Sequence, residues 1–533
     1  MDEPLAPTPA QLVQQLEGYS NSSGTSDELV QLLRPPRLGL RSSPSLRTEY
    51  GSASGFWQAL AGVWKVEADR LAADDKASIP AVTALAAFLL SLCTQEKENQ
   101  ARAVEHVEPE LRRILLVASS LFNLEDAAYQ GMTRICCQAL ANLVTGNETV
   151  ASKFFPQRLH LEEKDNLLQR LLASPDAGTL QALLIFLLNS VHGSRERALL
   201  LGSSKSGAGL VDRLMVLVGA LFDDETPEGI ANEDFSSDIF ALTFAIMQQL
   251  ISLGVLADTY RGHALMPDFA IDPSLVTLLK FLDGFLSLPG RASSAPALAL
   301  VPFLVSQLAA LSTNLINEGA ARVRDAADAA TFQGVVLVLH CLCSIGLSLD
   351  QESEEWEVKE KEVEQVKGEM VEGVEDVVGL LRFSQTLLPP PGPGRTTSAA
   401  PPSGAKIEEV DSTPSAAPSR AATPAFAQLQ RTCAQFLGIV SFAPPERKMT
   451  IETRGATKAA QDRVREAGGL GVLLSMCQID ERNPTMREHA LFAIRNLLKG
   501  NQASQDFIEG IKPEYLVGEG GELLDLPPAL RKE

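Results

Sequence analysis

The stretches "ALANLVTGN" at 139–147 and "AIRNLLKGN" at 493–501 place Ala, Asn, Leu, Gly and Asn in the same order and spacing, and this recurrence constrains the fold more than any other feature of the chain. A weaker echo, "LLIFLLNSVHGS", sets Asn189 and Gly193 where the first stretch has Asn142 and Gly146, so that the two asparagines stand 47 residues apart. Each stretch reads as an apolar helix that stops at a glycine. One such helix cannot bury its apolar side alone, so copies must stack on one another.

Composition agrees. Apolar residues make up 45% of the 533 and aromatics only 5%, with Leu and Ala prevailing over strand-type Val, Ile and Thr patterns. From about Gly55 the stretches "FWQALAGVWKVEADRLAADD", "AVTALAAFLLSLC", "GMTRICCQALANLV", "LQALLIFLLNSV" and "DIFALTFAIMQQLISLGVLA" are of helix length and are punctuated by Gly, Pro or Asx. A repeat step in the forties suits armadillo or HEAT units. The expectation is an all-α armadillo/HEAT-like helical solenoid carrying a disordered Pro/Ser/Ala-rich insertion.

The insertion is "PPPGPGRTTSAAPPSGAKIEEVDSTPSAAPSRAATPA", whose composition offers too little apolar surface to offset the cost of ordering. The expected organisation is a flexible N-terminal arm at 1–50, helical repeats at 51–388, a disordered linker at 389–424, C-terminal repeats at 425–515 and a flexible tail at 516–533. At the end of the first repeat block, residues 350–388 read as one acidic amphipathic helix, with Val363, Val366, Met370, Val374, Val377 and Leu381 on its apolar face. An outer helix solvated by its glutamates is preferred there to an acidic ligand for a partner's groove.

The formal net charge of -21, from 46 basic and 67 acidic residues, repels phosphate backbones and anionic surfaces, so no nucleic acid partner is expected. Seven cysteines lie among apolar residues, as reduced core thiols do in a cytoplasmic protein. The opening residues have no basic region followed by an apolar core, and no secretory signal is read from them. Residues 77–95 and 292–317 are uncharged and long enough to span a membrane. Both are diluted with Ser, Thr, Gln and Pro, and a central helix of a stacked array is buried on nearly all sides, so insertion is not expected.

Catalytic patterns are missing from the sequence. The six histidines are scattered and no Ser/His/Asp, HExxH or CxxC arrangement is present. Neither an enzyme nor a cofactor is expected. His340 and Cys343 share a helix face at i and i+3, but two ligands in an apolar helix are core residues more often than a metal site.

Near the end of the chain the repeat is more complete. A short helix ends at Gly468-Gly469, where positive φ is easily placed; a second carries Leu470, Val472, Leu473 and Leu474; a third begins after "DERNPT". This three-helix cadence is that of an armadillo repeat. The same stretch resembles the ataxin-10 domain family through Gln461-Asp462, Gly468-Gly469, Cys477-Gln478-Ile479-Asp480, Asn483-Pro484, Arg487-Glu488 and Ala493-Ile494-Arg495-Asn496-Leu497, over about residues 428–510. It departs from the family at Ile439, near an expected Asn, and in the Pro-rich basic insertion "APPERKMT". The resemblance implies a cytoplasmic protein-binding adaptor with a role in cytokinesis. Some fungal members carry a copper-transport name, so a membrane-associated or metal-handling transport factor stands as the alternative.

At 100° per residue Ala490, Ala493, Ile494, Leu497 and Leu498 form one stripe, and Asn496 falls at its edge. Asn142 takes the same place beside Ala139, Leu140, Leu143 and Val144, and Asn189 echoes it. In armadillo proteins that face of the third helix lines a concave groove. Two readings follow: Asn142, Asn189, Asn496 and Arg495 bind an extended peptide of a protein partner, the amides pairing with its main chain, or the asparagines bond a neighbouring helix and hold the stack together. Arg495 serves a partner carboxylate or balances the helix C-terminus.

Overall fold

The computed structural model describes residues 6–22, 24–159, 166–222, 233–263, 271–325, 330–349, 356–389, 423–442, 454–511, 515–517 and 523–525. The chain divides into two compact units, Met1–Leu265 and Met266–Glu533.

In the first unit the helices fall into successive groups. The first is α1 (Pro9–Ser22) and α2 (Ser26–Ser42); the second is α3 (Pro44–Ser52), α4 (Phe56–Ala72) and α5 (Ile79–Cys93). Next come α6 (Lys97–His106), α7 (Glu108–Ala118) and α8 (Ala127–Val144), then α9 (Glu148–Leu159), α10 (Leu167–Leu171) and α11 (Ala177–Val191). The last full group is α12 (Arg195–Ser203), α13 (Lys205–Phe222) and α14 (Glu233–Ser252), followed by α15 (Leu256–His263). Like packs on like: α2, α5, α8, α11 and α14 contact one another in sequence, as do α1, α4, α7, α10 and α13. That is the armadillo arrangement, with the third helix of each repeat in the central layer.

The second unit repeats the pattern. It comprises α16 (Pro273–Leu286), α17 (Ala295–Leu298), α18 (Val301–Asp325), α19 (Ala330–Leu349), α20 (Trp356–Val371), α21 (Val374–Leu387), α22 (Thr423–Val440), α23 (Arg454–Glu466), α24 (Gly469–Ser475), α25 (Met486–Leu498) and α26 (Gln502–Glu509). The central layer is α16, α19, α22 and α25, with α18, α21 and α24 on one side and α20 and α23 on another. Among the described residues the strands are β1 (Tyr515–Val517) and β2 (Leu523–Asp525), paired antiparallel with Leu516 opposite Leu524. The all-α repeat fold expected from the sequence is present.

Local chemistry sets the helix ends. Asp126 accepts the Ala128 N–H at the start of α8, Asp176 accepts the Thr179 N–H at the start of α11, and Asn501 accepts the Ser504 N–H at the start of α26. The recurring glycine that follows the third helix has φ of 67° at Gly146, 65° at Gly193 and 70° at Gly500, a left-handed conformation that a Cβ disfavours. The corner between α23 and α24 turns at Gly468, with φ 75°. In the core, Leu140, Leu143 and Val144 of α8 and Ala490, Ala493 and Leu497 of α25 are buried, as the stripe required.

Several segments differ from expectation. Residues 9–52, read as a flexible arm, are helical, with Leu12, Leu16, Leu29, Leu33 and Leu40 buried. The first half of α2, "SDELVQLLR", reads as a short helix, but "RPPR" concealed its continuation: Pro35 and Pro36 lie inside the helix, and the leucine stripe outweighs the donors they remove. The acidic helix is two helices, α20 and α21, parted at Glu372-Gly373. Its stripe packs inward at Val366, Met370, Val374, Val377 and Leu381, and α20 lies on α18 and α23 as an outer helix. The tail contributes β2 and most of β1. The 389–424 segment enters between α21 and α22, within one repeat, and its residues 390–422, like the basic insertion at 443–453, lie outside the described residues.

Among the described residues three helical windows, Lys76–Cys93, Ala295–Ala320 and Ala330–Leu349, are long and apolar enough to cross a membrane by length and composition. In each, more than half of the residues (61%, 56% and 67%) are buried inside the protein.

Candidate functional site

The two matched stretches lie at equivalent seams, one in each unit. Gln100 of α6 donates from Nε2 to the carbonyls of Asn142 (2.8 Å) and Thr145 (3.0 Å), the last turn of α8. Gln461 of α23 donates in the same way to the carbonyls of Asn496 (2.8 Å) and Lys499 (3.1 Å), the last turn of α25. In each seam the asparagine that opens the next helix completes the contact: Asn147 donates to Gln100 Oε1 at 3.0 Å and Asn501 to Gln461 Oε1 at 3.3 Å. These amides add partners to last-turn carbonyls, where bonding within the helix runs out; the Asn142 carbonyl also accepts the Thr145 N–H at 3.3 Å. The sequence carried Asn142, Asn147, Asn496 and Asn501 in its repeat, but not the role of Gln100 or Gln461.

Each singled-out asparagine reaches toward the preceding repeat. Asn142 Nδ2 donates to the Leu90 carbonyl of α5 at 2.9 Å, and Asn189 Nδ2 donates to Thr145 Oγ1 at 2.9 Å. Asn496 Nδ2 donates to the Gly438 carbonyl of α22 at 2.9 Å. Asn142 and Asn189 are half-buried, whereas Asn496 is 4% exposed and stands inside the stack. Gly438 permits that approach, because a Cβ there would lie 2.6 Å from the Phe492 ring. Its neighbour Ile439, which departs from the family pattern, is buried as plain apolar core.

Arg495 differs. It is exposed, and with Leu491 (48% exposed) and Phe492 (38% exposed) it forms the outward face of α25, since residues three and four apart share a face. The equivalent helix α8 presents Arg134, but that guanidinium is paired with Asp176 at the cap of α11. Burial works to raise the Asp176 carboxyl, yet hydrogen bonds from Arg134 and Thr179 outweigh it and hold the group below the usual aspartate value. In the second seam Asp462 shows the same balance: burial opposes it, and Asn501 and Arg465 hold it low. Burial, with help from Arg431, depresses His489 at the inner edge of α25.

The remaining chemistry-bearing residues sit in the core. His340 faces Gln428, with Nε2 atoms 3.1 Å apart, and Cys343 is buried against the Thr432 carbonyl. Among the described residues no three His, Cys, Asp or Glu side chains converge on one point. Burial pushes the Cys136 thiol up to about 12, and the other buried thiols move the same way.

Residues 456–525 match the family model described as the spinocerebellar ataxia type 10 protein domain. An ataxin-10 homolog of Dictyostelium discoideum is 42% identical over 66 residues, 12% of this chain and 11% of that protein. Ataxin-10 of Xenopus tropicalis is 36% identical over 59 residues, 11% of this chain and 12% of that one. The match thus spans about a tenth of the length of these relatives. Among solved structures, the crystal complex of SYS-1/POP-1 aligns over 94% of this chain and 91% of that chain, at 12% identity and a TM-score of 0.36. The matched segment contains Gln461, Asp462, Asn496 and Asn501, the residues that build the second seam, and over that segment the chain is similar to the ataxin-10 family.

Proposed function

We propose that this chain is a non-catalytic protein-binding scaffold of the ataxin-10 type, which acts in the cytoplasm in the regulation of cytokinesis. One observation carries the binding face. Leu491, Phe492 and Arg495 stand together, exposed, on the central-layer helix of the domain that matches the family. Two large apolar side chains beside a guanidinium suit a partner peptide that brings an apolar anchor and a carboxylate. Asn142 and Asn189 occupy the corresponding edge of the central layer in the first unit, half-buried, and Asn496 braces the binding helix from behind. The cytoplasmic setting is supported by seven free cysteines, six of them buried, and the cytokinesis role by the family resemblance.

Leu491→Asp with Phe492→Asp tests the face. Partner capture by the full chain should be lost to a greater extent than any loss of folded protein explains; some stability is lost because the Phe492 ring rests on Gly438 of α22. Cells relying on the variant should divide as poorly as cells lacking the chain. Undiminished capture by the folded variant removes the face from the account; normal division on complete loss of the chain removes cytokinesis.

A further inference from the structure

The first unit carries a second charged surface, remote in sequence from the matched domain. On α2, Arg34, Arg37 and Arg41 recur at spacings of three and four, which places them on one helix face. The buried residues Leu29, Leu33, Pro36 and Leu40 occupy another. Arg34 and Arg41 are exposed and Arg37 is half-buried. Over seven residues of helix the three guanidinium groups are distributed along about 10 Å.

Three like charges along one helix face repel one another. Burial lowers the pKa of Arg37, and its like-charged neighbours Arg41 and Arg34 lower it further. Its Nε is buried without a hydrogen-bond partner. Among the described residues no carboxylate forms an ion pair with any of the three guanidinium groups. Several other arginines of this unit show what compensation looks like: Arg70 meets Glu67 and Asp75, Arg113 meets Asp69 and Glu110, and Arg197 meets Glu148. Arg47, just beyond α2, turns its guanidinium inward onto the carbonyls of Leu40 (2.7 Å) and Arg41 (3.2 Å). It therefore fixes the end of the helix and leaves the triad facing out.

We infer that the Arg34, Arg37 and Arg41 face of α2 is a docking site for a short acidic peptide segment of a partner protein. A run of three or four consecutive Asp or Glu residues in extended form covers about 10 Å, which matches the triad. Guanidinium forks favour carboxylates as ligands. The acidic field of the chain as a whole opposes long polyanions and anionic vesicles, and thereby selects a short ligand over a nucleic acid or a membrane. This site stands independently of the α25 face.

The test uses the full chain and a fluorescein-labelled peptide with four consecutive glutamates between Gly-Ser flanks, followed by fluorescence anisotropy at low and at physiological salt. The control peptide has four glutamines. The glutamate peptide should bind, less tightly as salt rises, and Arg34→Gln/Arg37→Gln/Arg41→Gln should weaken it by about tenfold or more. Arg102→Gln, which removes an exposed arginine already paired with Glu98, should leave binding unchanged. The triple variant should melt at or above the wild-type temperature, because mutual repulsion is removed. Failure of the wild type to bind, equal binding of the glutamine peptide, or an equal loss in Arg102→Gln would overturn the site. Capture by phosphatidylserine vesicles without peptide binding would replace it with a membrane surface. A fall in the triple variant's melting temperature that accounts for its lost binding would make the arginines structural.

Discussion

The seams at α8 and α25 share a bonding scheme and differ in what they show to solvent. Behind each helix a glutamine caps the last-turn carbonyls and an asparagine from the next helix closes on that glutamine. In front, Arg134 of α8 is bound to Asp176, whereas Arg495 of α25 is exposed beside Leu491 and Phe492. The bonds that build a repeat therefore recur wherever the repeat recurs. The difference lies in the outward face, and the apolar, cationic one falls within the segment that matches the ataxin-10 domain. Buried amides in this chain report on stacking, and function is to be sought among the residues that packing leaves over.

The largest expected effect should not distinguish the two regions. Leu143 and Leu497 are both fully buried at the same repeat position, so replacing either with Ala should destabilise by about 2 to 5 kcal/mol. Chemical denaturation checks this, and a negligible midpoint shift at either site would mean that its apolar stripe is misassigned. Next come the glutamines. Gln100→Ala and Gln461→Ala each remove bonds to last-turn carbonyls and leave a buried asparagine short of a partner, at a cost of about 1 to 3 kcal/mol. Similar losses at both sites support one shared seam; a loss at only one would break the equivalence.

Acid sharpens the comparison by a smaller amount. Asp176 and Asp462 both titrate below the ordinary aspartate value of 3.8, so their contribution is present above that value and is lost as pH falls through the depressed one. Melting temperatures taken between neutral pH and about pH 3 should fall more steeply for wild type than for Asp176→Asn or Asp462→Asn. The flattening should be greater for Asp176, which is the more buried of the two. Parallel curves for wild type and both variants would show that neither carboxylate is coupled to folding.

Much of this architecture was legible in the sequence, for a physical reason. Apolar residues at helical spacing, Asn caps and left-handed glycines are local, so "ALANLVTGN" and "AIRNLLKGN" announced two equivalent helix ends, and Asn496 fell at the border of its stripe. The partner of each seam was not legible. Gln100 stands 42 residues before Asn142 and Gln461 only 35 before Asn496, because the intervening helices differ in length, so no fixed spacing marks the pair. Gln461-Asp462 was visible as part of a family resemblance, without its role. The extension of α2 beyond "SDELVQLLR" was hidden by Pro35 and Pro36, and the break at Gly373 by a stripe that continues in phase across it. Whether an edge asparagine faces a groove or a neighbouring helix depends on the next repeat, which periodicity within one helix does not specify.

The central claim is that Asn496 holds the stack while Arg495 beside it faces a partner, and a paired substitution tests it most directly. Asn496→Ala and Arg495→Ala are to be compared by denaturation midpoint and by partner capture on the same preparations. The account predicts that Asn496→Ala loses about 1 to 3 kcal/mol, with capture reduced only in proportion to folded protein. Arg495→Ala should keep its stability within about 0.5 kcal/mol and lose capture. An Asn496→Ala protein as stable as wild type but unable to capture its partner, or an Arg495→Ala protein that captures normally, would contradict it.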